Sequence, residues 1–202
     1  MIGTDLSPIQ PPWVPPNCKF ELDNCELEWT YPDNTFDYIH IRCMLGSIKD
    51  WVKVYRECMR CLKPGGWLEH LDYSVILQSD DGSVPAGSAY DEWNAVFKEA
   101  GEKLGQTFNV TDNNGLVRRM EEAGFADVQT HYFKLPIGGW PADPVLKEVG
   151  IFSKISNEQG LEGFALYVCT NILGWGYSEV QMLLLRMRQA LNNKSYHGYY
   201  PW

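Results

Sequence analysis

Three acidic side chains near the front of the chain stand where a strand pattern meets a loop. Asp5 follows Met1-Ile2-Gly3-Thr4, Asp23 follows Cys18-Lys19-Phe20-Glu21-Leu22, and Asp37 stands at the start of Phe36-Asp37-Tyr38-Ile39-His40-Ile41-Arg42. In open parallel sheets, ligands sit beyond the carboxyl ends of the strands. A carboxylate there can accept hydrogen bonds from a ribose diol, and the acid or amide on the next loop can take the exocyclic amine of an adenine. Taken singly, an Asp that closes a strand is more often a turn former than a ligand. The grouping is what points to a nucleoside-shaped site.

Other reactive side chains give weaker signals. His40, His70, His131 and His197 are the possible general bases, since the imidazole titrates near neutrality. His40 lies inside an apolar run and reads as a core histidine; His70, after Glu69 near a strand end, lies closer to the expected pocket. Cys58 and Cys61 form a C-x-x-C on a helical pattern. No second close pair follows and no histidine sits at zinc spacing, so buried reduced thiols are expected and no metal site. Trp93, Trp140, Trp175 and Trp202 make the second half rich in aromatics, mostly for core packing. Trp175, flanked by Gly174 and Gly176, is the best candidate wall for a pocket taking a flat or greasy metabolite. Arg186 and Arg188 read as a solvated helix face.

The elements that must hold these residues follow from periodicity. Met1 to Leu6 reads as a strand end, and Pro8, Pro11, Pro12, Pro15 and Pro16 hold an extended connection. Cys18 to Asp23 alternates at strand period. Phe36 to Arg42 predicts a buried strand and Trp67 to Tyr73 another. Between them Trp51, Val54, Tyr55, Cys58 and Leu62 fall on one helical stripe, which Pro64-Gly65-Gly66 is expected to stop. This order is an α/β signature with parallel crossovers. Further stripes follow at Trp93, Val96, Phe97, Ala100 and Leu104, at Leu116, Met120 and Ala123, and at Val180, Leu183, Leu184, Met187 and Leu191. Ser156-x-x-Gln159 and Ser178-x-x-Gln181 fit capping boxes. Val128 to Leu135 predicts a strand, and the tail from Tyr196 to Trp202 looks like the approach to one that does not follow.

The 202 residues, 45% hydrophobic and 21% charged, suffice for one domain with a core. The 17 basic against 26 acidic side chains give a net charge of -9 without a basic block, which disfavours nucleic acid as a partner. Uncharged runs such as Cys169 to Tyr177 fall short of a membrane span, and no basic-then-apolar leader opens the chain. A soluble protein of the cytoplasm or nucleus is expected.

Ile2-Gly3-Thr4-Asp5-Leu6-Ser7, Phe36-Asp37-Tyr38-Ile39-His40 and Leu62-Lys63-Pro64-Gly65-Gly66-Trp67-Leu68-Glu69 together resemble the class I S-adenosylmethionine-dependent methyltransferases. More narrowly, the chain is similar to the fungal LaeA-like methyltransferases of secondary metabolism. The Gly3 to Pro8 opening, Trp67-Leu68-Glu69-His70, Leu173-Gly174-Trp175 and the tail Tyr196 to Pro201 carry that likeness. The resemblance covers nearly the whole chain. It implies an α/β fold: an incomplete Rossmann-like sheet with helices on both faces and a helical C-terminal part. The whole would be a single domain, residues 1–75 forming a partial cofactor half and 76–202 a helical, substrate-side half. It implies S-adenosylmethionine as cofactor, with no metal. By this resemblance Asp5 would hold the cofactor's ribose and Leu6 would pack beside the adenine. Asp23 and Asn24 would touch the adenine amine and ring, and Arg42 and Cys43 would lie near the methyl donor. His70 and Trp175 would belong to the acceptor's side. The acceptor would be a small metabolite or a protein. A non-methylating scaffold or regulatory relative, and a relative transforming a metabolite without the cofactor, are the alternatives. No catalytic residue is assigned, because aligning a sulfonium methyl with its acceptor needs little acid–base help.

One family feature is absent from the sequence. In that family the cofactor's amino-acid end lies on a strand followed by G-x-G-x-G, where glycines let backbone N–H groups approach closely. No such segment occurs, and neither Gly65-Gly66 nor Gly138-Gly139 has the pattern. By the resemblance the chain opens at the second strand and stops where the last would begin. It is therefore expected to be a fragment, to rearrange its sheet, or to complete the sheet with a second copy or another partner.

Overall fold

The prolines between residues 8 and 16 return the chain beside its own start. In the computed structural model, which describes residues 1–110 and 114–202, β1 (Ile2–Asp5) pairs in parallel with β2 (Lys19–Leu22), Ile2 opposite Lys19 and Asp5 opposite Leu22. Hydrogen bonds pin both ends of this register. Lys19 N donates to Met1 O (3.1 Å) and Asp23 N to Asp5 O (3.0 Å).

β3 (Phe36–Arg42) pairs with β4 (Leu62–Leu71), and α1 (Trp51–Cys61) connects them. Thr35 N donates to Cys61 O and, at the other end, Cys43 N to Leu71 O, so the two strands run the same way. Asp50 caps α1 by accepting from Lys53 N at 2.9 Å. The expected stripe of Trp51, Val54, Tyr55, Cys58 and Leu62 is buried.

Two expectations need correction here. The helix ends at Cys61, where Leu62 is already extended, and Pro64-Gly65-Gly66 lies inside β4. Gly66 serves close approach instead of helix exit: a Cβ there would stand 2.9 Å from Lys63 O and 3.1 Å from Asp37 O. Nor are β3 and β4 buried. Their residues are mostly exposed or half-buried, Trp67 is 67% exposed and His40 lies at the surface. Their sheet holds two strands among the described residues, and such a sheet has no inner strand to be covered on both sides.

The remaining elements are α2 (Ala89–Leu104), α3 (Gly115–Glu122), β5 (Lys134–Pro136), α4 (Pro144–Tyr167), a π-helical turn (Val168–Ile172), α5 (Tyr177–Leu191) and β6 (Tyr199–Pro201). The chain divides into two compact units. The first comprises Met1–His40, Asp50–Glu69 and Arg119–Val128, and the second Ile41–Lys49, His70–Arg118 and Gln129–Trp202.

In the first unit, Arg60 of α1 ties down the loop ahead of β3. Its guanidinium donates to Tyr31 O (2.8 Å), Trp29 O (2.9 Å) and the Glu57 carboxylate (2.6 Å). Glu57 in turn accepts from Trp29 N at 2.8 Å.

In the second unit, α2, α4 and α5 pack around Phe97, Leu161, Leu183, Leu184 and Met187. Arg186 is not simply solvated: it forms a two-pronged pair with Glu92 of α2, at 2.8 and 2.5 Å. α4 starts at Asp143, which accepts from Leu146 N (2.8 Å), with Pro144 in the first turn, and runs unbroken past Ser156. α5 starts after Gly176, whose N–H donates to the Glu179 carboxylate at 3.3 Å. The boxes expected at Ser156 and Ser178 therefore do not form. An Asp-Pro start captures α4 upstream, and Ser178 already lies within α5.

The tail also departs from expectation, because it does make a strand. β6 pairs antiparallel with β5, Lys134 opposite Pro201, and Tyr199 exchanges two backbone bonds with Gln78 on its other side. The predicted strand from Val128 shrinks to Lys134–Pro136 because β6 offers it partners only there and at Phe133, which exchanges bonds with Trp202.

Candidate functional site

The parallel register of β1 and β2 brings two strand-end acids together. Asp23 follows the residue opposite Asp5 and donates its N–H to the Asp5 carbonyl at 3.0 Å. Each carboxylate turns its own loop: Asp5 Oδ1 accepts from Ser7 N and Asp23 Oδ1 from Asn24 N, both at 2.8 Å. Asn24 Oδ1 accepts from Glu26 N at 3.0 Å. On each acid Oδ2 has no hydrogen bond among the described residues. Leu6, next along from Asp5, is 72% exposed. The first unit thus places on two adjacent strand ends two acids, each with an open acceptor oxygen, and beside Asp5 an uncovered apolar side chain, a set that suits hydroxyl and amine donors on a flat ring. The third acid, Asp37, is engaged elsewhere: Lys63 bonds it at 2.7 Å and holds its carboxyl below the usual range.

His40 belongs to an exposed cluster in the same unit. The Glu69 carboxylate accepts from the Tyr38 hydroxyl at 2.5 Å and meets His40 Nδ1 at 2.6 Å. Tyr38 first, then His40, keep Glu69 below its ordinary value.

The other expected residues belong to the second unit. Arg42 is exposed. Cys43, also exposed, holds a left-handed φ of 53° that a non-glycine residue seldom adopts, and its N–H donates to Leu71 O at 3.1 Å. His70 has a fully shielded side chain whose Nε2 lies 3.2 Å from Asp72 Oδ2. Asp72 was not singled out in the sequence, yet it organises this corner. It is 3% exposed, and its carboxylate also accepts from Met44 N and Tyr73 N, both at 2.9 Å. One signal was available: the alternation in His70-Leu71-Asp72 puts His70 and Asp72 on one side of a strand. Trp175 is half-buried against the helical core, and its backbone N–H donates to Cys169 O at 2.9 Å. Gly174 before it does bend the backbone, with φ 78°.

A cavity of about 190 Å3 opens in the second unit among Tyr73, Trp93, Ser153, Phe164, Tyr200 and Trp202, with other residues completing the wall. None of the residues expected to contact cofactor or acceptor lines it, Trp175 and His70 included. Cys58 and Cys61 are buried, and burial pushes the Cys58 thiol well above its ordinary value. Among the described residues no group of three His, Cys, Asp or Glu side chains is gathered to hold a metal ion, and no helix is long and apolar enough to cross a membrane.

Residues 1–130 match the family model described as a methyltransferase domain. The chain belongs to that family and has its class I, Rossmann-like α/β fold. Among its relatives, the methyltransferase pytC of Aspergillus terreus is 37% identical over 202 residues, which make up 100% of this chain and 61% of that protein. The secondary metabolism regulator LAE1 of Cochliobolus heterostrophus is 29% identical over 98% of this chain and 65% of that protein. The crystal structure of YcgJ from Bacillus subtilis superposes with a TM-score of 0.51 at 14% identity, over 99% of this chain and 78% of that one, a likeness of fold. The chain spans about three-fifths of the length of these curated relatives.

Proposed function

We propose that this chain serves S-adenosylmethionine-dependent methyl transfer, and that the β1 and β2 strand ends receive the adenosyl half of the cofactor. The observation that carries the reading is the juxtaposition of Asp5 and Asp23, each with one acceptor oxygen left open. When bound, S-adenosylmethionine supplies an electrophilic methyl group on a sulfonium. Asp5 accepts from the ribose hydroxyls, Asp23 and Asn24 receive the adenine's amine and ring, and Leu6 covers the base. The residues here fit the nucleoside end; the sequence holds no G-x-G-x-G for the amino-acid end. Arg42 and Cys43 near the methyl donor, and His70 and Trp175 on the acceptor side, rest on family resemblance. The acceptor is a small metabolite or a protein, and the setting in secondary metabolism is suggested by the printed name of the relative LAE1. A regulatory partner that does not methylate is the second reading, suggested by the printed name of one relative, a secondary metabolism regulator.

Calorimetric titration of the 202-residue chain with 5′-methylthioadenosine and with S-adenosylhomocysteine tests the assignment. Both ligands are expected to bind within about tenfold of each other, because the contacts serve the part they share. Asp5→Asn is expected to weaken both by about tenfold or more, the value of a hydrogen bond to a charged acceptor. Absence of heat with both ligands, or unchanged affinity in Asp5→Asn, removes the adenosyl reading and leaves the regulatory one.

A further inference from the structure

α4 runs for 24 residues, about 36 Å at the usual helical rise, and is apolar on both sides. Its inner side packs Leu161 and Ala165 into the core of the second unit. Its outer side carries Val145, Val149, Phe152 and Tyr167, with Leu146 and Phe164 beside them. Val145, Phe152 and Tyr167 are 62–68% exposed and the other three 37–49%. A helix that is apolar all round is normally covered all round, and a contiguous exposed apolar patch of this kind marks a contact surface.

No charge interrupts the outer row. Lys154 and Glu158 both reach Asn192 at the end of α5, the lysine at 2.7 Å, and Glu162 accepts from Gln181 of α5 at 3.3 Å. Ser156, Gly160 and Gly163 continue the row at the same three- or four-residue spacing. The row is its own complement about Ser156. Phe152 and Gly160 stand four residues to either side of it, Val149 and Gly163 seven, and Val145 and Tyr167 eleven. Two such helices laid antiparallel about a two-fold axis there bring a large side chain against a glycine at two levels and two apolar side chains together at the third. That self-matching is what a contact between identical faces requires.

The two glycines differ in an informative way. Gly160 has a reason within its own chain, because a Cβ there would stand 3.0 Å from the Phe164 ring. Gly163 has none among the described residues: a Cβ there would meet nothing within 4 Å. Glycine is a poor helix former, so an open glycine in mid-helix suits a close neighbour from another chain. The area is sufficient as well. The exposed parts of the six large side chains amount to roughly 600 Å2. Doubled by symmetry, roughly 1,200 Å2 reaches the lower bound of stable specific interfaces.

We infer that α4 pairs antiparallel with α4 of a second copy about a two-fold axis at Ser156, making a homodimer through this face. The inference is independent of the adenosyl reading, since α4 lies wholly in the second unit.

Sedimentation of the full chain between about 1 and 100 μM tests it, and a reversible dimer of micromolar Kd is expected. Phe152→Asp, at an exposed position, is expected to keep the parent's circular dichroism and to be monomeric throughout. Gly163→Leu is expected to weaken association at least about tenfold although it adds apolar surface, because the new side chain meets Val149 of the second copy. In a Cys43→Ser background, Ser156→Cys is expected to cross-link on oxidation and Met182→Cys, exposed on α5, is not. A monomer across the whole range overturns the inference, and one that binds phosphatidylcholine vesicles assigns the face to lipid instead. Dimerisation unchanged in Phe152→Asp, association of Gly163→Leu as tight as the parent's, or equal cross-linking at both cysteines overturns it too.

Discussion

Replacing Asp72 with alanine isolates the contribution of the buried acid that the sequence did not advertise. Its carboxylate takes three donors: Met44 N and His70 Nε2 on Oδ2, at 2.9 and 3.2 Å, and Tyr73 N on Oδ1 at 2.9 Å. Truncation strands the two backbone N–H groups, each costing about 1–3 kcal/mol if no partner replaces the oxygen. Met44 and Tyr73 are half-buried, so water recovers part of this loss, and a destabilisation of about 3 kcal/mol is expected. Asp72→Asn keeps the shape and one acceptor oxygen but turns an amide NH2 toward a donor, which should cost about 1–2 kcal/mol. Urea unfolding followed by tryptophan fluorescence reads both values, provided the slope stays constant across variants. Limited trypsin digestion adds a local readout, because Met44 belongs to the loop between Arg42 and Lys49 and should be cut faster there in Asp72→Ala. If Asp72→Ala lies within about 1 kcal/mol of the parent, or no lower than Asp72→Asn, the carboxylate is not organising this corner and the reasoning is wrong.

Four further outcomes follow from the geometry. Gly150→Ala places a Cβ 2.1 Å from Gly138 O and should cost about 3 kcal/mol, lowering the melting temperature by about 6–12 °C; an unchanged melting curve would contradict the contact. Asp143→Ala should lose about 1 kcal/mol in urea while Ser156→Ala and Ser178→Ala lose almost nothing, the reverse of what capping boxes at those serines would give. Asp81 is held below the usual carboxylate range by the Ser83 hydroxyl, then by His197. A depressed folded-state value contributes stability above the ordinary carboxylate range and loses it as pH falls through and below that range. Acid unfolding of Asp81→Asn should accordingly be flatter below about pH 4 than that of the parent. Among the six cysteines, Cys43 is the exposed one, whereas burial pushes Cys169 up to about 11. A disulfide exchange reagent should therefore find one fast thiol in the native chain, lost in Cys43→Ser, and fast labelling of a second would refute the burial pattern.

The parts of the fold that were legible in sequence are those decided locally. The stripe from Trp51 to Leu62 and the one from Val180 to Leu191 are buried where their spacing puts them, because a helix fixes its own faces through 3.6-residue geometry. The exposure of β3 and β4 is not legible in sequence, since a strand's surroundings come from layers that other elements supply. The length of β5 is set by β6, more than sixty residues downstream by the register of Lys134 with Pro201. The meeting of Asp5 and Asp23 was legible because each acid closes a strand and the two strands are sequential. Asp72 escaped because its partners include the backbone of Met44, a group that every residue type carries equally. The cavity escaped because Tyr73, Trp93, Ser153 and Trp202 come from separate stretches of chain, and their spacing in sequence carries no period.

The strap between β1 and β2 has a consequence for how the acid pair is kept in place. Parallel neighbours are usually joined through a helix, which also roofs the strands. Here residues 6–18 make the crossover with five prolines and no helix. A rigid strap gives no roof, but it surrenders little freedom on folding because the disordered chain was already stiff. Exchanging those prolines for glycines would leave Asp5, Asp23 and all their hydrogen bonds nominally intact, yet the wider wandering of the open chain would loosen the hold of one strand end on the other.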